Sequence, residues 1–216
     1  MREQNADTPV GQAAIAWYDA TAPARAIVAL GHGSATGIDA PDLQAIATVL
    51  PPLGITVALV TQPYRLALSL GGHGRRASDE DSLDAAWRAL WSHIATDATP
   101  VIAGGRSAGS QVACRTAKAL GAAAVIALSY PLLGPGSPRE LLSTGLPLLV
   151  VQGGLDPYGT PDRFLPLPPT TTLVEVPFAN HTFGVSGRLG NTTTGALATV
   201  TEAVTTWLDV LLATSR

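Results

Sequence analysis

The chain has 216 residues, of which 46% are hydrophobic and 13% charged, and its formal net charge at pH 7 is −3. This length and apolar content suit one sizeable core, and the scattered basic residues exclude the clustered positive charge that nucleic-acid binding needs. Cys114 is the only cysteine, which excludes an intrachain disulfide framework and a cysteine-based zinc site.

The N-terminal segment offers no targeting signal. The first ten residues lack the apolar core of a signal peptide, and no apolar run approaches the roughly 20 residues needed to cross a bilayer. We therefore expect a cytoplasmic protein without a membrane partner. Residues 1–8 are expected to be flexible, and residues 13–20 are predicted to form an antiparallel edge strand.

Short apolar runs rich in Val, Ile and Leu recur along the rest of the chain and lack polar alternation. Runs of this kind are typical of parallel strands that helices cover on both faces. The strands predicted in this way are residues 24–30, 55–60, 100–105, 122–130, 146–154 and 171–177.

Helical patterns lie between these runs. The clearest begins near Asp81 or Ser82, its predicted caps, and residues 197–211 form a closing amphipathic helix. The alternation predicts a single-domain α/β fold: a three-layer αβα sandwich around a mostly parallel, doubly wound sheet, without a cap domain. Residues 61–81 lack clear periodicity and are predicted to be a lid-like loop over the carboxyl edge of the sheet.

The pattern G-x-S-x-G occupies residues 105–109, between a predicted strand and a predicted helix. This is the setting of a nucleophile elbow, in which a sharp turn projects a serine hydroxyl above the sheet. The small neighbours let the strand and the helix approach closely. The sequence therefore predicts Ser107 as a nucleophile, with the N–H of Ala108 as one donor to an oxyanion.

A serine nucleophile needs a base, which is normally a histidine oriented by a carboxylate. His181 is the only histidine after Ser107, and it follows the last strand-like run. Asp156 comes directly after the run at residues 146–154 and is the predicted acid. Glu140 and Asp162 are weaker candidates, because neither directly follows a predicted strand.

The motifs GHGSATG, GRSAG, GGLDPYG and ANHTF occur in an order that resembles the α/β-hydrolase superfamily across nearly the whole chain. The segments QPY, GRR, SYPLLGPG and QGGLDPYG look like its small, capless, dienelactone-hydrolase-like branch, which includes testis-expressed-30 and non-specific-lethal-3 type domains. The nucleophile is Ser here, whereas dienelactone hydrolases proper use Cys. Residues 65–73 match no part of that pattern.

The resemblance implies an esterase-like site at Ser107, Asp156 and His181. The GHGSATG segment is similar to the oxyanion loop of these hydrolases, which implies the N–H of Ser34 as the second oxyanion donor. The candidate pocket residues are His32, which is also expected to brace its own loop, Tyr64, Arg106 and Tyr130.

These observations predict a serine hydrolase that cleaves esters or thioesters of small molecules through an acyl-enzyme. No metal and no organic cofactor is expected. A different class remains open, in which the same fold is an interaction module with little or no catalysis. A third alternative is an acyltransferase or thioesterase that uses the same site.

Overall fold

The computed structural model describes residues 1–71, 79–96, 98–133, 138–164, 166–187 and 192–214. Within these ranges, eight strands form one sheet in which the first two strands are antiparallel to their neighbours and the others are parallel. The strands are β1 (Arg2–Thr8), β2 (Gly11–Tyr18), β3 (Ala26–Gly31), β4 (Ile55–Thr61), β5 (Val101–Arg106), β6 (Ala124–Leu128), β7 (Leu148–Gly153) and β8 (Thr171–Val176). Their order across the sheet is β1-β2-β4-β3-β5-β6-β7-β8.

Helices cover both faces of this sheet. The helices are α1 (Pro41–Val49), α2 (Pro63–Ser69), α3 (Glu80–Ile94), α4 (Ala108–Thr116), α5 (Pro138–Leu142) and α6 (Thr193–Thr214). Side chains of α3, α4 and α5 belong to the apolar cluster on one face of the sheet. Those of α1 and α6 belong to the apolar cluster on the other face. Every residue of β3, β5, β6 and β7 is buried. The predicted three-layer fold is therefore confirmed, and the continuous apolar runs are explained by burial on both faces.

The N-terminal segment differs from its prediction. Residues 1–8 were expected to be flexible, but Arg2–Thr8 forms β1, which pairs antiparallel with β2. The edge strand predicted at residues 13–20 is also corrected: β1 is the edge strand on this side, so β2 lies inside the sheet between β1 and β4. The sequence of β1 is polar and mostly exposed, so it contains no apolar run to mark a strand. Backbone pairing with an apolar neighbour supplies the stabilisation instead.

The segment at residues 61–81 is also more regular than its prediction. Pro63–Ser69 forms α2, with proline in the first turn, where its missing N–H costs nothing. Asp79 caps α3 by accepting a hydrogen bond from the N–H of Asp81, two or three residues before the expected caps. Residues 72–78, where the rest of the lid-like loop was predicted, lie outside the described residues.

Helix α6 is, within the described ranges, long and apolar enough to cross a membrane by length and composition, with a mean hydropathy of 1.4. The sequence reading had expected no such segment. However, Val200, Val204 and Leu208 repeat at helical spacing and are fully buried in the cluster beneath the sheet. Packing against the core accounts for the apolar residues of this stripe, while 28% of the apolar 18-residue window of the helix is buried.

Candidate active site

Ser107 sits on the turn between β5 and α4. Its backbone adopts φ 52° and ψ −118°, a conformation that L-residues rarely take. Its N–H donates to the carbonyl of Leu128 at 2.9 Å, which ties the turn to β6. A strained residue held in this way at the carboxyl end of a central strand has the geometry of a nucleophile elbow.

The two glycines of the motif allow three segments to cross at the elbow. A Cβ atom on Gly105 would lie 2.5 Å from the carbonyl carbon of Gly109. A Cβ atom on Gly109 would lie 2.4 Å from the carbonyl oxygen of Gly31, at the end of β3. The spacing of the motif therefore follows from backbone contacts that leave no room for side chains.

The structure brings the three predicted site residues into one hydrogen-bonded chain. Nε2 of His181 lies 2.9 Å from Oγ of Ser107, and Nδ1 lies 2.8 Å from Oδ2 of Asp156. Because ionised Asp156 can only accept, Nδ1 carries the proton and Nε2 presents its lone pair to the serine hydroxyl. The two weaker acid candidates bond elsewhere, Glu140 to Tyr130 and Asp162 to the hydroxyl of Thr160.

Two further groups orient the carboxylate of Asp156, which is only 1% exposed. The amide nitrogen of Gln152 donates to Oδ2 at 2.9 Å, and the N–H of Tyr158 donates to Oδ1 at 2.8 Å. Gln152 is fully buried at the end of β7 and was missed in the sequence. A polar residue inside an otherwise apolar strand was the available signal.

Arg106, predicted to line a substrate pocket, does line the cleft beside Ser107, but its side chain is 4% exposed and is bound mainly to other parts of the protein. Nη1 donates to the hydroxyl of Thr36 at 2.8 Å, and Nη2 donates to the carbonyl of His181 at 3.0 Å. Nε lies 3.2 Å from Oδ2 of Asp42 in an ion pair that lacks hydrogen-bond alignment. Burial raises the pKa of Asp42, and the Arg106 charge opposes that rise. Arg106 thus connects the loop after β3, the start of α1 and the histidine loop.

The predicted oxyanion donors belong to two different segments, both of which line the cleft beside Ser107. Ala108 is the first residue of α4, so its N–H has no acceptor within the helix. Ser34 lies in the exposed loop after β3. In that loop, a Cβ atom on Gly33 would stand 3.4 Å from Cβ of Ser107, so the loop passes directly beside the serine.

His32 and Tyr64 brace this loop. His32 is buried, its Nδ1 lies 2.8 Å from the carbonyl of Gly33, and its Nε2 accepts from the N–H of Gln62 at 3.1 Å. Burial lowers the pKa of His32, so the ring is neutral. The Tyr64 hydroxyl contacts the carbonyls of Gly33 and Ser34 at 3.4 Å, and burial raises its pKa to about 12. Neither lines the cleft beside Ser107, so their assignment as pocket residues is corrected.

The cleft beside Ser107 has a volume of about 470 Å³. Tyr130, another predicted pocket residue, is fully buried and does not line the cleft, and its hydroxyl donates to Glu140. The aromatic residue that does line the cleft is Tyr158, whose ring packs edge-on against the His181 ring with centroids 4.6 Å apart. Its position two residues after Asp156 was the signal for it in the sequence.

Comparisons with known proteins agree with this architecture. A family model described as an alpha/beta hydrolase domain matches residues 24–209. A serine hydrolase homologue from Coxiella burnetii is 16% identical, with a TM-score of 0.72 over 99% of this chain and 96% of that chain. A lidless α/β serine hydrolase from Xanthomonas campestris is 22% identical, with a TM-score of 0.73 over 95% and 94%. A dienelactone hydrolase from Anabaena variabilis is 21% identical, with a TM-score of 0.72 over 95% and 96%. No curated protein sequence matches.

Proposed function

The chain belongs to the α/β-hydrolase domain family, and from this membership and the site geometry we propose a serine hydrolase that cleaves carboxylic ester or thioester bonds. The observation that carries the proposal is the hydrogen-bonded chain from Ser107 through His181 to Asp156. A merely structural role would not require a strained serine, a correctly oriented imidazole and a buried carboxylate at three different strand ends.

In the proposed acylation step, Nε2 of His181 accepts the hydroxyl proton of Ser107 as Oγ attacks the substrate carbonyl. The N–H groups of Ala108 and Ser34 donate to the oxyanion that forms. His181 then transfers its proton to the leaving oxygen or sulfur, and the carbonyl re-forms as the acyl-enzyme. Asp156 stabilises the imidazolium between these transfers.

Deacylation repeats the sequence with water as the nucleophile. His181 accepts a proton from water, the hydroxide adds to the acyl carbonyl, and the proton returns to Oγ of Ser107 as the acid leaves. This chemistry requires no metal and no organic cofactor. The names of two structural neighbours, a lidless serine hydrolase and a dienelactone hydrolase, are consistent with hydrolysis.

The proposal is tested by hydrolysis of p-nitrophenyl esters whose acyl chains rise in length from acetate. We expect turnover by the parent protein, and its loss in Ser107→Ala. We expect Asp156→Asn to lower kcat roughly 10⁴-fold, because the amide favours the wrong imidazole tautomer. Asp162→Asn is the matched control and should retain parent activity, since Asp162 has no contact with His181 among the described residues.

Two results would contradict the assignment. Hydrolysis that survives in Ser107→Ala would place the nucleophile elsewhere. Parent-like turnover by Asp156→Asn would mean that another carboxylate orients His181.

A further inference from the structure

Gln111 is a polar residue of the cleft that the proposed reaction does not use. It lies on α4, and its N–H donates to the carbonyl of Ser107 at 3.2 Å, which places it one helical turn after the nucleophile. The residue is 7% exposed and lines the same cleft as Ser107.

The side-chain amide of Gln111 has an unmet hydrogen-bonding capacity. Its nitrogen is buried, and no group in the described part of the chain accepts a hydrogen bond from it. Buried amides are normally paired, because an unpaired one has lost its bonds to water without replacement. Because Gln111 lines the cleft, a substrate that displaces the groups covering this nitrogen would supply the missing acceptor.

The neighbouring charged residues indicate what kind of group the amide meets. Arg115 follows Gln111 by one further turn and also lines the cleft. Its Nε and Nη2 donate to Asp84, and its Nη1 lies 3.4 Å from Glu140 and 3.8 Å from Glu80. The guanidinium is thus already surrounded by carboxylates and offers no free positive charge to an anionic substrate.

We propose that Gln111 selects esters in which a neutral hydrogen-bond acceptor, such as a ketone or amide carbonyl, lies one helical turn from the scissile carbonyl. Cβ atoms one turn apart on a helix are roughly 5–6 Å apart, which indicates a span of that order between the two carbonyl groups. The inference rests on the proposed hydrolase function and specifies the substrate class of the same site.

Three p-nitrophenyl esters of nearly equal shape test the proposal: the 5-oxohexanoate, the 5-methylhexanoate and the hemiglutarate. They place a ketone, a branched hydrocarbon and a carboxylate at the same carbon. The rates are corrected with Ser107→Ala, which removes the uncatalysed background. The parent should give a kcat/KM for the ketone roughly tenfold above that for the hydrocarbon, the size of one neutral hydrogen bond. The carboxylate ester should be the poorest substrate.

Gln111→Met removes the amide at nearly constant volume and should reduce the ketone-to-hydrocarbon ratio of kcat/KM to about unity. Gln111→Glu keeps the shape of the side chain but replaces the amide donor with a carboxylate acceptor, and it should also reduce this ratio. Gln12→Met, at an exposed position of β2, is the matched control and should keep the parent ratio. Because each ratio is measured within one protein, partial loss of folded material cancels.

The outcomes separate the two proposals. If the parent hydrolyses the esters without favouring the ketone, or if Gln111→Met keeps the preference, the role of Gln111 is wrong while the serine hydrolase stands. A preference for the carboxylate ester would overturn the neutral substrate class. If a folded parent hydrolyses none of the esters, the proposed function fails and the inference fails with it.

Discussion

Ser107 and His181 are hydrogen-bonded partners, yet different parts of the protein hold them. The position of Ser107 is set by backbone: a left-handed residue, an N–H bond to Leu128 and glycines that let the elbow press against β3. His181 is held by side chains from other elements, with Asp156 on its ring and Arg106 on its carbonyl. The nucleophile therefore stands between two glycines in the sequence, whereas the side chains that bind His181 are 25 and 75 residues away from it. Backbone contacts also reach the histidine loop, where a Cβ atom on Gly153 would lie 2.5 Å from the carbonyl oxygen of Ala179.

The largest expected effect comes from Arg106→Met, which removes the side chain that binds the carbonyl of His181. We expect the free energy of unfolding to fall by about 3–5 kcal/mol, because Asp42 would stay buried without its cation. We also expect kcat to fall more than KM changes, since the His181 carbonyl loses its donor. Urea unfolding and p-nitrophenyl ester kinetics measure the two effects.

Arg88→Met is the matched control, because the Arg88 side chain is 49% exposed in its pair with Asp84 and such pairs are worth less than about 1 kcal/mol. Adding Asp42→Asn to Arg106→Met should recover part of the lost stability by removing the uncompensated carboxylate. Equal losses in Arg106→Met and Arg88→Met would show that the buried pair does not support the histidine loop.

Gly109→Ala disturbs the backbone contact between the elbow and β3. The new Cβ atom would lie 2.4 Å from the Gly31 carbonyl oxygen, and backbone atoms must shift to admit it. We expect a loss of about 1–3 kcal/mol in unfolding free energy together with a lower kcat, because the shift displaces the elbow. Gly187→Ala, where the added Cβ meets no atom of the described residues within 4 Å, should leave both quantities near the parent values. Parent-like activity in Gly109→Ala would contradict the account of the elbow.

A smaller effect on the free energy of unfolding is expected at His32, whose side chain braces the loop beside the nucleophile. Burial lowers its pKa, so the folded protein keeps it neutral while the unfolded chain binds a proton below its ordinary value of about 6.5. Stability contributed by His32 is thus present above that pH and is lost as pH falls through it. Urea unfolding at about pH 8 and about pH 5 should show a flatter pH dependence in His32→Gln than in the parent. Identical slopes would mean that His32 is not buried in its neutral form.

The same division explains what could be predicted from sequence. Parallel strands covered on both faces have continuous apolar sequences, so the central strands and the three-layer order could be predicted from the sequence. Ser107, Asp156 and His181 each follow such a run, and the carboxyl ends of parallel strands meet at one edge of a sheet. Their juxtaposition was therefore predictable.

The contacts of Arg106 were not predictable, for a physical reason. The pairing of Arg106 with Thr36 and Asp42 joins segments about 70 residues apart, and arginine, threonine and aspartate carry no positional signature of their own. Likewise β1 is a polar strand whose only mark is its pairing with β2. These features depend on the folded neighbourhood and not on local pattern.

The central claim is that Ser107 is an activated nucleophile, and labelling with a fluorophosphonate probe followed by intact mass tests it most directly. The parent should acquire a single stoichiometric adduct that maps to Ser107, and Ser107→Ala should acquire none. A folded parent that stays unlabelled, or a variant that labels as the parent does, would contradict the claim.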